Sequence, residues 1–226
     1  MPELTNWLMD IGISEDILLV LTFVPIIVTI TTASRYISGL KTFGVYTSMI
    51  LAFAYYFIGA KQGLIITIIV VASSWLIRNM LRKVRLHYLS RLSVVYCGIS
   101  IILLSFIAAT SFIPSDSPIM DFRNLSPIPL VMIISITDRF MANYIKKDLL
   151  VAARLTAETI FISVIGWTLM RVEPIQKFFY NNLWLIPLTI IINLSIGKYS
   201  GFRWTEYIRF SQVIKNVESP EDRKQK

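Results

Sequence analysis

The stretch VAARLTAETIFISVIGW, residues 151–167, reads as the body of a membrane-crossing helix, yet it carries Arg154 and Glu158. A charge at the centre of a bilayer costs about 3 kcal/mol on insertion scales, so such residues pair with one another and face a bundle interior. Arg154 and Glu158 stand four residues apart and share a helix face. Just upstream, residues 128–147 form another apolar stretch, interrupted by Asp138 and Arg139. Little more than residues 146–148 joins the two, a tight helical hairpin that sets residues equidistant from the turn at equal depth. Asp138 and Arg139 precede that turn by about as many residues as Glu158 follows it, roughly 13 Å from either surface at the helical rise. The expectation is an intramembrane polar cluster of Asp138, Arg139, Arg154 and Glu158 near the midplane. Arg139 is expected to pair with Glu158, and Asp138 with Arg154.

The rest of the chain supports a membrane reading. Of its 226 residues, 55% are hydrophobic and only 16% are charged. A soluble domain of this length cannot bury that much apolar surface. About 20 residues of helix cross a hydrocarbon core of roughly 30 Å. Backbone groups in lipid must be satisfied internally, which makes helices the form for these runs. Strand alternation is absent, which excludes an outer-membrane barrel. Seven helices are expected, at about 16–34, 42–60, 62–80, 92–113, 128–147, 149–170 and 183–200. The segment RNMLRKVRLHYLSR, residues 78–91, reads as a basic connector into which the third helix projects. Residues 1–15 form an external lead-in, 202–212 an amphipathic segment along the inner interface, and 213–226 a polar cytoplasmic tail. The membrane domain as a whole is read as 16–212.

Orientation follows from lysine and arginine, which concentrate on the cytoplasmic side. With the N-terminus outside, only Lys61, Arg123, Arg171 and Lys177 fall in external segments. Arg139 and Arg154 lie within spans, and the remainder of the 22 basic residues fall inside. The fold class is therefore an all-α integral membrane protein: a seven-helix bundle, N-terminus outside and C-terminus cytoplasmic. The net charge of +8 is then a topology signal and not a nucleic-acid footprint. The N-terminal segment has acidic residues and no lysine or arginine before the first helix, so that helix is not read as a removable signal peptide.

Enzyme chemistry finds little support. His87 is the sole histidine and sits in the basic connector, which argues against a catalytic triad or a metal site. Cys97, the single cysteine, lies in an apolar run and is expected to be a small core residue. No glycine-rich phosphate loop is present. No catalytic residue, metal ligand or cofactor is expected.

Two glycine-flanked segments carry a resemblance. GLKTFGVYTSMILAFAY, residues 39–55, and GKYSGFRWTEYIRF, residues 197–210, resemble the motifs of a bacterial seven-helix membrane domain found beside, or fused to, an inactive transglutaminase-like domain. The positions that match are Gly39, Lys41, Thr42, Phe43 and Gly44 in the first motif. In the second they are Gly197, Tyr199, Gly201, Arg203, Glu206, Tyr207, Arg209 and Phe210. IPLVMIISITDRF, residues 128–140, looks like that family's fifth helix, with Asp138 where the family has glutamate. The resemblance implies location in the bacterial cytoplasmic (inner) membrane. It also implies a periplasmic transglutaminase-like partner and an ATP-grasp-type, ligase-like cytoplasmic partner. Because Met1 lies just before the first helix, the transglutaminase-like partner is expected to be a separate polypeptide.

On residue chemistry alone, GLKTFG is a tight turn with a snorkelling lysine, or an anion site in which Lys41 acts with the backbone N–H groups that open the second helix. FRWTEYIRF is an interfacial segment, or a docking site for a cytoplasmic enzyme. The leading expectation for function is a non-enzymatic scaffold or signal-transmitting module. The competing one is a small transporter or channel working through the four-residue polar cluster. An intramembrane enzyme ranks third. Ligand and oligomeric state are not legible.

Overall fold

The computed structural model describes residues 7–8, 10–84, 87–110, 122, 125–146 and 148–198. Every regular element among them is helical. α1 (Glu15–Ala33) runs on through a π-helical turn, Ser34–Ser38. α2 is Val45–Ile58, and α3 is Ala60–Met80, closed by a 3-10 turn at Leu81–Lys83. α4 spans Tyr88–Thr110. α5 (Pro127–Ile134) and α6 (Ile136–Lys146) form one span interrupted at Ser135. α7 is Leu149–Arg171, α8 is Glu173–Asn181, and α9 is Leu185–Lys198.

Among the described residues, five helical stretches are long and apolar enough to cross a bilayer: Glu15–Ser38, Ala60–Lys83, Tyr88–Thr110, Pro127–Ile145 and Leu149–Arg171. α8 and α9 pass the same test as a pair bent by 97°, and α2 is a shorter apolar helix. The protein is an all-helical, multi-pass membrane bundle.

α2 is the hub. It packs against α1, α3, α5 and α7, with Leu51, Ala52, Phe53, Ala54 and Tyr55 all buried. The apolar content of α2 does not by itself select these neighbours, because lipid tails are as apolar as leucine. Close packing and cross-helix hydrogen bonds do. The face of α7 that meets α2 is a stripe of small residues, Thr156, Thr159, Ser163 and Gly166, every one buried. Gly166 lies so close to Ala52 that an added Cβ would sit 3.0 Å from the alanine methyl. Ser163 Oγ donates to the Ser48 carbonyl across the interface (3.0 Å). On the other flank, the Tyr55 hydroxyl shares a 3.0 Å hydrogen bond with Thr67 Oγ1 of α3. Deeper along α3, Ser74 Oγ donates to Thr137 Oγ1 of α6.

α4 and α9 are peripheral. α4 packs on α3 with a single buried stripe, Val95, Ile99 and Leu103, while Leu104 and Ile101 face outward. Cys97 is on the exposed side of α4, which corrects the expectation of a core cysteine. The reason is rotational: within an uninterrupted apolar run, hydropathy does not say which face meets protein and which meets lipid. α9 packs on α1, where Asn193 Nδ2 donates to Thr29 Oγ1 (2.7 Å).

Three further differences from the sequence reading have local causes. The second helix opens at Val45 and not at 42, because Gly44 adopts φ 128° and ψ 169°, a conformation available in practice only to glycine. The basic connector does not extend the third α-helix to 91: α3 ends at Met80 and passes into a 3-10 turn at Leu81–Lys83. Residues 173–181, taken as loop, form α8, an amphipathic helix set across the axis of α9. Phe179 anchors it edge-on to Phe23 of α1, with ring centroids 5.6 Å apart. The terminal segments 202–212 and 213–226 lie outside the described residues.

Candidate functional site

The site is the turn between α1 and α2, residues 39–44, and the side chains of α7 that receive it. α2 has 14 residues, a length of about 21 Å at the helical rise, shorter than a hydrocarbon core of roughly 30 Å. Residues 39–44 join α2 to α1 as irregular backbone. Such backbone is tolerated at membrane depth only where it is buried in protein and its polar groups are satisfied. Gly39, with φ 75°, ends the π-helical turn in the left-handed conformation, and Gly44 launches α2. Between them the backbone N–H of Lys41 donates to Glu158 Oε2, and that of Phe43 donates to Thr159 Oγ1 (3.0 Å). Thr159 in turn donates to the Leu155 carbonyl within α7 (2.7 Å).

Glu158 is thus a clasp. Its second oxygen, Oε1, accepts from Arg154 Nε at 2.8 Å, one turn away on the same helix. The two side chains differ sharply in environment: Glu158 is 13% exposed and Arg154 is 81% exposed. The carboxylate is held against the turn, while the guanidinium compensates its charge from the bundle surface. This answers why α7 carries charge. The turn needs an acceptor for an amide, a carboxylate is a strong one, and Arg154 pairs with its second oxygen.

The expected cross-hairpin pairs are not formed. Among the described residues the ion pairs are Arg154–Glu158 and, on α8, Glu173–Lys177. Asp138 accepts instead from the Tyr88 hydroxyl at the start of α4 (2.9 Å). Arg139 is exposed, and its carbonyl accepts from Asn143. α6 and α7 do pack together, as a hairpin should. Equal distance from the hairpin turn fixes depth only; rotation about each axis turns Asp138 toward α4 and Glu158 toward the α1–α2 turn. The four charges therefore divide into two sets. One set is beside the turn that closes α1 and the other beside the first residue of α4.

The turn also revises the anion-site reading of Lys41. Its N–H donors are occupied by α7, so the anion they meet is the protein's own carboxylate. The Lys41 side chain itself is exposed. Thr42 and Phe43 pack inward, Thr42 being buried and Phe43 resting on the core. Of the second motif, Gly197 is at the end of α9 with open space where a Cβ would be. Tyr199, Gly201, Arg203, Glu206, Tyr207, Arg209 and Phe210 lie outside the described residues. Sequence reasoning missed Thr159 and Ser163 as partners of the turn and of α2. The signal was present, since small residues recurring every three or four positions mark a close helix interface in membranes. No group of residues suited to a metal ion is found among the described residues.

Comparison with known proteins agrees with this architecture. A family model described as seven transmembrane helices usually fused to an inactive transglutaminase matches residues 8–214. No curated protein and no solved structure matches the chain. The five long spans, the bent α8–α9 pair and the short α2 fit the helix content of that model, and it covers the motif turn and the whole of α7. The chain belongs to the family of seven-transmembrane-helix domains usually fused to an inactive transglutaminase.

Proposed function

We propose that the chain is a non-enzymatic scaffold or signal-transmitting module of the bacterial cytoplasmic membrane. It works with a transglutaminase-like partner outside and an ATP-grasp-type enzyme on the cytoplasmic side. The usual fusion in the family supports the first partner. The observation that carries the reading is the Glu158 clasp. α1 ends in the turn whose amides bind Glu158 and Thr159, so a displacement of α1 is passed to α7 through hydrogen bonds and not through lipid. The end of α7 that begins at Leu149, after the short connector from α6, is then where a cytoplasmic enzyme would sense it. Division of the four charges between two sets of partners favours this reading over transport through one polar site.

Co-expression with a transglutaminase-like polypeptide tests it. The partner is expected to co-purify, and its binding is expected to alter the thiol-labelling rate of a Lys41→Cys variant at the turn. Recovery of lipid alone would count against the scaffold. Proton or ion flux in liposomes that disappears in Glu158→Gln would replace it with the transporter.

A further inference from the structure

A second polar feature stands apart from the clasp. A cavity of about 300 Å³ is lined by Arg78, Asn79, Arg82, Arg91, Tyr144 and Asp148. Three guanidinium groups face one carboxylate, and that carboxylate is already engaged, Asp148 accepting from the N–H of Leu149 as the N-cap of α7 (2.7 Å). Arg78 and Arg82 are one helical turn apart, and Arg91 reaches the cavity from α4. Neither Arg78 nor Arg82 belongs to either of the ion pairs among the described residues. The Arg78 guanidinium lies over the Tyr144 ring, 4.4 Å from its centroid, and its Nη1 is buried without a hydrogen-bond partner. An arginine fork fixed by stacking, with a buried donor left over, is arranged to receive an anion.

Depth narrows the anion. The cavity is where α3 ends, α4 begins and α7 begins, so it is at the level where three spans leave the hydrocarbon. Lipid phosphates are at that level, and basic pockets between transmembrane helices suit anionic headgroups. A volume of about 300 Å³ is at the small end of ligand sites, which fits a phosphate group better than a large ligand.

We infer that Arg78, Arg82 and Arg91 form a binding site for a phosphate group, presented by an anionic phospholipid or as free inorganic phosphate. This site does not depend on the scaffold reading. Arg82 is exposed on a turn, so Arg82→Gln leaves the fold intact. Lys83→Gln makes the same charge change one residue away, at a side chain that does not line the cavity. Native mass spectrometry of the delipidated protein with phosphatidylglycerol or phosphatidylcholine, and thermal unfolding with inorganic phosphate, separate the sources. Phosphatidylglycerol is expected to bind, with affinity falling about tenfold in Arg82→Gln, the loss of one charge-assisted hydrogen bond. Lys83→Gln is expected to bind as the wild type does. Protection by inorganic phosphate that is lost in Arg82→Gln supports the site with free phosphate as its occupant. Equal binding of the two lipids with no protection by phosphate, or equal weakening in Arg82→Gln and Lys83→Gln, overturns it.

Discussion

Glu158→Ala is expected to destabilise the bundle by about 1.5–3 kcal/mol, the worth of a hydrogen bond to a charged group, while Arg154→Ala costs less than about 1 kcal/mol. The asymmetry follows from exposure and not from charge. Glu158 is the acceptor for the Lys41 amide, and the irregular backbone of the turn offers that amide no helical carbonyl. Arg154 is largely exposed and makes no bond to the turn, so its removal leaves the clasp closed. Glu158→Gln falls between them, because an amide oxygen still accepts but accepts less strongly than a carboxylate. Unfolding midpoints of the three variants in one detergent, read by tryptophan fluorescence, check the order. Equal losses in Arg154→Ala and Glu158→Ala would show that the ion pair, and not the turn, is what Glu158 serves.

Gly63→Ala is expected to cost about 1–3 kcal/mol, the usual range for overpacking a filled core. An added Cβ would meet the Tyr55 ring, its atom contacts being closer than van der Waals distance allows. The ring has nowhere to go, since Tyr55 is fully buried and its hydroxyl is bonded to Thr67, on the same helix as Gly63. Gly197→Ala provides the control, with nothing within 4 Å of the new methyl. The same unfolding measurement applies. A neutral Gly63→Ala would mean that α2 and α3 separate more easily than their packing implies.

The all-helical, multi-pass character was legible because hydropathy over a span-length window reports on lipid, and lipid acts on every span alike. The hairpin of α6 and α7 followed from a connector of three residues. What was not legible was rotation. Cys97 and Glu158 both sit in apolar runs, and composition around them is the same on the face that meets lipid and on the face that meets protein. The small-residue stripe Thr156, Thr159, Ser163 and Gly166 carried the missing information for α7. Near Cys97 the comparable signal on α4 is Gly98, close against Ile77 of α3, and the orientation of α4 comes from packing on α3 and α6. The turn was half legible: Gly39 and Gly44 announced a break, but its recipient, Glu158, is more than a hundred residues away in the chain. α8 was missed for a different reason. Its charges and its proline at the start suggest a loop, whereas Pro174 within the first turn of a helix loses no hydrogen bond.

The proposed coupling requires that the basic connector and the end of α9 share one side of the membrane, with the α2–α3 turn and α8 on the other. Impermeant thiol labelling in a Cys97→Ala background reads this directly, with single cysteines in place of Lys61, Lys83, Lys177 or Lys198. The account predicts that Lys61→Cys and Lys177→Cys are labelled in intact cells, and that Lys83→Cys and Lys198→Cys are labelled only after permeabilisation. Labelling of Lys83→Cys or Lys198→Cys in intact cells would contradict it.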